Sequence, residues 1–266
     1  MASPAEGALP AIWFGMWCRR FGYCRTVPSR EPPRAVRWVM VRQEWRKVAF
    51  VHWPVAADRL AALVPEPLSL DTRDGVAWLT LSPFSTTCQM FSTIPVPGPR
   101  RFPETNLRTY VEAPDGTDGL YFLSLDVTNR SNAGLGRLLR LPYHLGDMVI
   151  EEPTPESPYV RSAGVRRADR VAAYDVRLDV DAASTGGAGA LDTYLTGRWS
   201  AYFHAVGRLF RCDVEHEPWP LRPAHLVSCH QTLDPGSGGR AGDDAVVHYA
   251  AGVSAKLSWP IPVTSG

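Results

Sequence analysis

The segment Glu104–Val127, ETNLRTYVEAPDGTDGLYFLSLDV, decides the fold because it has the pattern of a long β-hairpin. Each of its two arms alternates between an apolar face and a polar face, which is the two-residue period of a half-buried strand. Between the arms, Pro114-Asp115-Gly116 and Asp118-Gly119 supply residues that favour tight turns. The segment therefore predicts two antiparallel strands that each place one face on the protein core.

The register of this hairpin decides what its polar face can do. If the two apolar faces coincide, the residue numbers of opposed pairs have an even sum, and Arg108 lies beside Ser124 or Asp126. The polar face would then form a ligand site on the inner wall of a sheet, built from Asn106, Arg108, Tyr110, Ser124 and Asp126. An ordinary solvent face with a cross-strand ion pair fits the same pattern, so both interpretations stay open.

Composition indicates an ordinary globular protein. The chain has 266 residues, of which 45% are hydrophobic and 21% charged, and its net charge is +1. Because acidic and basic residues are interspersed, no charged surface points to nucleic acid or an anionic membrane as a partner. Five cysteines form no CxxC pair and leave one over, which favours reduced thiols in a cytoplasmic protein.

The first 40 residues differ from the rest. We predict that residues 1–40 are a disordered extension, or that translation starts at Met40, and that residues 41–262 form a single domain. The apolar run Ala11–Cys18 precedes two arginines instead of following basic residues, so it does not resemble a signal peptide, and it is too short to span a bilayer. A membrane-lying anchor built on the aromatic residues of this run is disfavoured because the run has no polar helical face.

Short strands with few helices follow. The predicted helices are Ala56–Val64, a helix capped by Asn132, and one turn at Leu191–Leu195. Strand patterns occur at Trp45–Trp53 (ended by Pro54), Leu68–Asp71 paired with Val76–Phe84, Tyr143–Glu151, Tyr159–Arg166, Val171–Val180, Ser200–Glu215 (a hairpin), Leu226–Leu233 and Val246–Trp259. This order predicts a mainly β (α+β) protein with an antiparallel sheet wrapped around a core, not a parallel βαβ fold.

Motifs of common chemistries are absent from the sequence. It has no glycine-rich phosphate loop, no GxSxG and no HExxH, and its histidines are scattered, so we expect no cofactor and no metal. Lys47 and Lys256 are the only lysines. Lys256 follows the pattern of a solvent face, and Lys47 shares a strand face with tryptophans; a Schiff base would need one of them to be buried.

Seven short motifs occur in order between about residues 43 and 233. They are Phe50–Val55 (FVHWPV), Leu63–Pro65 (LVP), Asp74–Leu79 (DGVAWL), Phe102–Val111 (FPETNLRTYV), Ser124–Asp126 (SLD), Leu141–Tyr143 (LPY) and Pro218–Leu221 (PWPL). Together they resemble the bacterial YqjF-like family, a domain of unknown function (DUF2071). The resemblance implies an acetoacetate decarboxylase-like fold, in which an antiparallel sheet wraps into a cone or partial barrel around an interior pocket, with two or three short helices. It implies no settled activity.

One departure from the decarboxylase pattern bears on function. The Schiff-base lysine of that enzyme follows a proline after a helix, and the comparable stretch here has Tyr143 and His144 after Pro142. Neither side chain can form an imine. The resemblance therefore implies a pocket for a small carboxylate or carbonyl compound without Schiff-base chemistry.

Two functions remain open. In the first, a lyase-like enzyme binds an organic acid through Arg108 and moves a proton with Tyr143 or His144; the substrate-binding set is then Glu104, Asn106, Arg108, Tyr110, Ser124 and Asp126. In the second, the protein is a non-catalytic binding module for the same ligand. Structural roles also fit, with Arg108 paired to Asp126 or Glu104, and a homo-oligomer stays open. Convergence of Arg108, Tyr143 and His144 on one cavity would favour the enzyme.

Overall fold

The computed structural model describes residues 27–95, 101–138, 141–155, 157–181, 186, 189–233, 241–242 and 244–264. The strands are β1 (Val39–Val55), β2 (Ser69–Leu70), β3 (Ala77–Phe91), β4 (Ile94–Pro95), β5 (Phe102–Glu112), β6 (Asp118–Val127), β7 (Tyr143–Glu151), β8 (Val160–Arg166), β9 (Ala173–Val180), β10 (Ser200–Ala205), β11 (Arg208–Glu215), β12 (Leu221–Gln231), β13 (Val246–Ser258) and β14 (Ile261–Pro262). The helices are α1 (Ala57–Ala61), α2 (Arg130–Leu138) and α3 (Ala190–Thr196). The predicted mainly β class with short helices is confirmed.

The strands close into two rings that share one wall. The first ring runs through β13, β1, β3, β5, β6, β10 and β11, and β11 pairs back to β13. The second leaves β6 through β7, β8, β9 and β12 and also returns to β13. Pairing in both rings is antiparallel except where β6 meets β7 and β10. The predicted wrapped sheet is therefore confirmed, with two parallel junctions on β6.

The shared wall of β1, β3 and β5 has two different faces. One face packs into a large apolar core inside the second ring, which includes Val51, Trp53, Leu79, Leu81 and Leu107. The opposite face lines a cavity inside the first ring, with Phe50, Ser82, Glu104, Asn106 and Arg108. Because side chains alternate along a strand, the polar face of β5 points into a cavity and not into solvent.

A bulge divides the organising hairpin. Near the turn, Arg108 pairs with Phe122, which is an even-sum register. The register then shifts between Leu107 and Arg108, so that Leu107 pairs with Ser124 and the sum becomes odd. A bulge reverses the side to which later residues point. The predicted register is thus right beside the turn and wrong beyond it, and Arg108 does not share a face with Ser124 or Asp126.

Two other strand predictions need correction. Pro54 does not end β1, because it still pairs with β3, and the strand reaches Val55. A proline is tolerated there because the pairing of β1 with β13 ends at His52. The predicted hairpin from Leu68 to Phe84 is replaced by a pairing of β2 with β5, while only Arg73 and Val76 form a small bridge around the turn.

The helices are shorter or capped differently than predicted. The first one spans Ala57–Ala61 instead of Ala56–Val64. Asn129, and not Asn132, caps α2, because the Oδ1 atom of Asn129 accepts hydrogen bonds from the backbone N–H groups of Ser131 (2.9 Å) and Asn132 (3.1 Å). Among the described residues, no helix is both long and apolar enough to cross a bilayer.

The end of the predicted extension is attached to the domain. The indole Nε1 of Trp199 donates to the backbone oxygen of Ser29 (2.8 Å), Val36 N–H donates to Glu215 (2.6 Å), and Arg34 pairs with Asp213 (3.0 Å). The description of residues 1–40 as a disordered extension therefore does not hold for residues 29–36. Residues 1–26, with the predicted apolar run, lie outside the described residues, and a start at Met40 stays a prediction.

Candidate functional site

A cavity of about 230 Å³ lies inside the first ring. Most of its wall is apolar and aromatic, with Met40, Trp45, Val48, Phe50, Phe84, Leu120, Phe122, Leu125, Phe203, Trp219 and Leu257. A few polar side chains interrupt this wall, notably Glu104, Asn106, Arg108, Tyr143, Arg198 and His216. An apolar, concave site with few polar groups is typical of pockets for small molecules.

Arg108 is a partly buried cation of this cavity for which no carboxylate partner is found among the described residues. Its guanidinium carbon lies 5.5 Å from the centre of the Phe50 ring, and its Nε atom has no hydrogen-bond partner. The two predicted partners, Asp126 and Glu104, form no ion pair with it, and Asp126 binds Arg166 instead. Burial lowers the pKa of the Arg108 guanidinium, and the smaller effect of Tyr110 acts in the opposite direction.

Glu104 is a buried acid on the same strand face. Its side chain is nearly inaccessible, with 8% of the residue exposed. Burial, and to a smaller extent the charge of Asp126, raises the pKa of Glu104 to about 8. At pH 7 the carboxyl group is therefore mostly protonated, and it can donate a hydrogen bond or a proton.

Tyr143 lies in the cavity, whereas His144 does not. Tyr143 pairs with Leu125 of β6 and lines the cavity with it. Burial and the nearby Glu104 raise the pKa of Tyr143 well above its usual value, so the phenol keeps its proton. His144 points to the opposite side of β7 and lines a separate surface hollow with Arg166. The structure thus separates the predicted catalytic pair, and of the two only Tyr143 lines the same cavity as Arg108.

Ser124 and Asp126 belong to a structural cluster outside the cavity. Arg166 donates from Nε to Asp126 Oδ1 (2.6 Å) and from a terminal nitrogen to Ser124 Oγ (2.6 Å). Ser124 Oγ in turn donates to Asp126 Oδ2 (2.5 Å). These three side chains satisfy one another, so the assignment of Ser124 and Asp126 to the ligand site is corrected.

Tyr110 also leaves the predicted site. It is completely buried, and its hydroxyl group donates to the backbone oxygen of Leu195 (2.9 Å) and lies 2.7 Å from Thr80 Oγ1. It does not line the cavity. The predicted site residues that the structure brings together are therefore Glu104, Asn106, Arg108 and Tyr143.

His216 and Arg198 are cavity residues that the sequence did not reveal. The ring of His216 packs against Trp199 (4.6 Å between centroids) and Trp219 (4.5 Å). His216 lies beside the Pro218–Leu221 motif, which is the one feature of the sequence that could have drawn attention to it. A single histidine in a proline-rich loop has no periodicity from which a role could be predicted. Arg198 differs from Arg108 because it is ion-paired with Asp71 (2.7 Å) and Asp118 (3.0 Å).

Both lysines of the chain are ion-paired outside the cavity. Lys47 pairs with Glu152 (3.1 Å), Lys256 pairs with Glu215 (2.6 Å), and neither lysine lines the cavity. Within the part of the chain that the structure describes, no three histidine, cysteine, aspartate or glutamate side chains are close enough together to hold a metal ion.

Solved structures with the same fold include three enzymes. The enduracididine biosynthesis enzyme MppR, in complex with the condensation product of pyruvate and imidazole 4-carboxaldehyde, is 17% identical with a TM-score of 0.60, covering 88% of this chain and 90% of MppR. An acetoacetate decarboxylase-like enzyme from Sphingomonas wittichii RW1 is 14% identical with a TM-score of 0.60, covering 84% and 92%. Acetoacetate decarboxylase from Legionella pneumophila is 13% identical with a TM-score of 0.57, covering 98% of both chains. These likenesses show the acetoacetate decarboxylase-like fold and no more.

Sequence relatives are closer. The uncharacterized protein YqjF of Bacillus subtilis (strain 168) is 37% identical over 228 residues, which are 84% of this chain and 92% of YqjF. Residues 42–254 match the family DUF2071, described as an uncharacterized conserved protein. This match spans the strands of both rings from β1 to β13, so the chain belongs to the DUF2071 family.

Proposed function

We propose that the interior cavity binds a small organic acid with an apolar body, and that Arg108 takes its carboxylate. The observation that carries this proposal is the partly buried guanidinium of Arg108, which faces an apolar cavity and has no carboxylate partner among the described residues. A buried charge without a partner costs stability, and an anionic ligand would supply the missing partner. The planar guanidinium also matches the two oxygens of a carboxylate.

The size and lining of the cavity support a small ligand. A space of about 230 Å³ suits a molecule with few heavy atoms, and the aromatic side chains of Trp45, Phe50 and Trp219 offer surface to an apolar body. The names of two solved structures with this fold also mention ligands or substrates of this class. MppR was solved with a pyruvate-derived product and the Legionella enzyme is named for acetoacetate, so both involve small oxo acids. Since fold alone does not determine a ligand, this agreement is secondary to Arg108.

Thermal unfolding with and without ligand tests the proposal. Pyruvate, acetoacetate, butyrate and phenylacetate are compared with their uncharged amides. A ligand at 100 times its dissociation constant adds about 2.7 kcal/mol to the free energy of unfolding. We expect acids and not amides to stabilise the protein, Arg108→Lys to bind them more weakly, and Arg108→Met to lose the effect. Arg167→Met, which removes an exposed arginine of a surface ion pair, is the matched control.

Proton transfer is a second candidate function, because Glu104 is protonated at neutral pH beside the cavity. A carboxyl group with a pKa of about 8 can both give and take a proton near pH 7. If a bound 3-oxo acid loses carbon dioxide, the electron pair of the broken carbon–carbon bond forms an enolate, and Glu104 would protonate its carbon. Arg108 would hold the acid, and Tyr143, which keeps its own proton, would hydrogen-bond the developing oxyanion.

Solvent deuterium exchange separates binding from proton transfer. The protein is incubated with 2-oxobutyrate in D₂O, and exchange at the carbon next to the carbonyl group is followed by NMR. Catalysed exchange that Glu104→Gln abolishes would support the enzyme. Acid binding through Arg108 with no exchange above the Glu104→Gln background would leave only the binding module.

A further inference from the structure

We infer that His216 is a second polar anchor of the cavity, and that the ligand carries a hydrogen-bond donor, a hydroxyl or N–H group, in addition to its carboxylate. The inference rests on the proposed binding of an organic acid by Arg108. It narrows the ligand class from organic acids in general to acids that also present a donor. Four observations on His216 and its surroundings support it.

The first observation is the fixed tautomer of the imidazole. The Nδ1 atom of His216 lies 2.6 Å from the backbone oxygen of Glu217. A carbonyl oxygen can only accept, so Nδ1 carries the proton and donates it, and Nε2 has a lone pair. The ring cannot easily turn away, because Trp199 and Trp219 pack against it with centroids at 4.6 Å and 4.5 Å, and Trp45 lies at 5.8 Å.

The second observation is that this lone pair is open. His216 Nε2 makes no hydrogen bond to any described residue. It is also not one of the completely buried polar atoms that lack a partner, so part of its surface is accessible. The residue as a whole is 6% exposed and lines the cavity. In contrast, the unbonded ring nitrogens of His52 (Nε2) and His248 (Nδ1) are sealed. Of these three buried histidines, His216 is therefore the one whose free nitrogen a ligand can reach.

The third observation is electrostatic. Burial lowers the pKa of His216 to about 4, which outweighs the opposite effect of Glu217, and the charge of Arg108 makes a smaller contribution in the lowering direction. Both side chains line the same cavity. At neutral pH the imidazole stays uncharged, so His216 is an acceptor at a site where Arg108 is a donor.

The fourth observation is that these two polar groups demand different ligand atoms. Arg108 has only donors and requires an acceptor such as a carboxylate, whereas His216 Nε2 requires a donor. A plain fatty acid would satisfy Arg108 but would offer no donor to the imidazole nitrogen. A second carboxylate would face a lone pair. A hydroxy acid, or an acid with an N–H group, satisfies both ends.

Matched acid pairs test this inference by calorimetry on the full chain. The pairs are lactate and propionate, 3-hydroxybutyrate and butyrate, and 4-hydroxyphenylacetate and phenylacetate, which differ by one hydroxyl group at increasing distance from the carboxylate. We expect the hydroxy acid of at least one pair to bind about tenfold more tightly, the size of one neutral hydrogen bond. His216→Phe should remove this preference, and His216→Gln, which retains an acceptor oxygen, should keep part of it.

The ¹⁵N resonances of the histidine side chains give a second readout that needs no stable variant. The Nε2 signal of His216 should move upfield with the preferred hydroxy acid and stay in place with its matched acid. Acid binding that depends on Arg108 but shows no hydroxyl preference and no Nε2 shift would overturn this inference alone, as would a preference that persists in His216→Phe. Failure of every acid to bind, or binding unaffected by Arg108→Met, would overturn the proposed function and this inference with it.

Discussion

Arg166 holds Asp126 on the side of β6 that faces away from Arg108, with 2.6 Å between Arg166 Nε and Asp126 Oδ1. The two side chains are 11% and 3% exposed. Asp126 therefore has a cation of its own and is not available to neutralise Arg108. The register shift between Leu107 and Arg108 and this pairing together keep Asp126 away from Arg108.

The buried pair should matter for stability. We expect Arg166→Ala to lower the free energy of unfolding by about 3–5 kcal/mol, because it leaves the Asp126 carboxylate buried without its cation. The neighbouring pair Arg167–Asp147 has the same 2.6 Å separation but side chains that are 41% and 53% exposed. Arg167→Ala should therefore cost no more than about 1 kcal/mol. Urea denaturation measures both, and equal midpoints of the two variants would contradict the burial of the Arg166 pair.

Much of the fold could be predicted from alternation. Strands β5, β6 and β7 have the predicted positions within two residues, because each has one apolar and one polar face that the two-residue period reveals. The closure into two rings could not be predicted from this period, since a strand that is buried on one side and lines a cavity on the other has the same pattern as a strand that faces water. The interior pocket was predicted from the family resemblance alone.

The site residues could be predicted only where the register of β5 with β6 could be predicted. Glu104, Asn106 and Arg108 follow from one strand face, but the bulge at Leu123, where the register shifts between Leu107 and Arg108, has no marker in the sequence. The odd-sum register beyond the bulge moved Ser124 and Asp126 to the other side. His216 was missed because its position depends on packing against tryptophans that are distant in sequence or lie in a loop.

Glu104 should make stability depend on pH. Its pKa is about 8 in the folded protein and near 4.5 in the unfolded chain, so the folded state holds an extra proton between these values. The contribution of Glu104 to the free energy of unfolding is therefore largest below about pH 4.5. It falls by a few kcal/mol as the pH rises from about 4.5 through 8. We expect Glu104→Gln to remove this decline, and to be more stable than the parent at pH 8. Glu66→Gln, at an exposed position, is the control and should keep the decline; the same decline in Glu104→Gln would assign it to another group.

Removing the first 39 residues should leave a folded but weaker protein. A chain that starts at Met40 loses the acceptor of the Trp199 indole and the bond from Val36 to Glu215. We expect it to be about 1–3 kcal/mol less stable than a chain that starts at Val27. Cooperative urea unfolding of both chains measures the difference, and identical midpoints would show that residues 27–39 add nothing.

No imine should form with oxo acids. The ammonium groups of Lys47 and Lys256 are each paired with a glutamate, and neither residue lines the cavity. Imine formation requires an amine that can reach the bound oxo acid, and both lysines lie outside the cavity. We expect no borohydride-stable adduct with pyruvate or acetoacetate in intact-mass spectra. An adduct mapped to either lysine under conditions where acid binding needs Arg108 would contradict this expectation.

Arg108 and Arg198 should respond oppositely to the same substitution. Both guanidinium groups border the cavity, but Arg198 is bound by Asp71 and Asp118, whereas no described carboxylate pairs with Arg108. Arg108→Met removes a partly buried charge that has no described carboxylate partner and fills similar space, so we expect the free energy of unfolding to rise by about 1–3 kcal/mol. Arg198→Met takes away the cation shared by two largely buried aspartates, and we expect a loss of about 3–5 kcal/mol.

The sign of the Arg108 effect is the decisive result of this pair. Stability gained in Arg108→Met should be accompanied by the loss of acid-dependent stabilisation, because the proposed site uses the same charge that destabilises the protein without ligand. Urea denaturation with and without a tested acid measures both quantities on one protein. If Arg108→Met is as destabilised as Arg198→Met, then Arg108 has a structural partner after all and is not the carboxylate site.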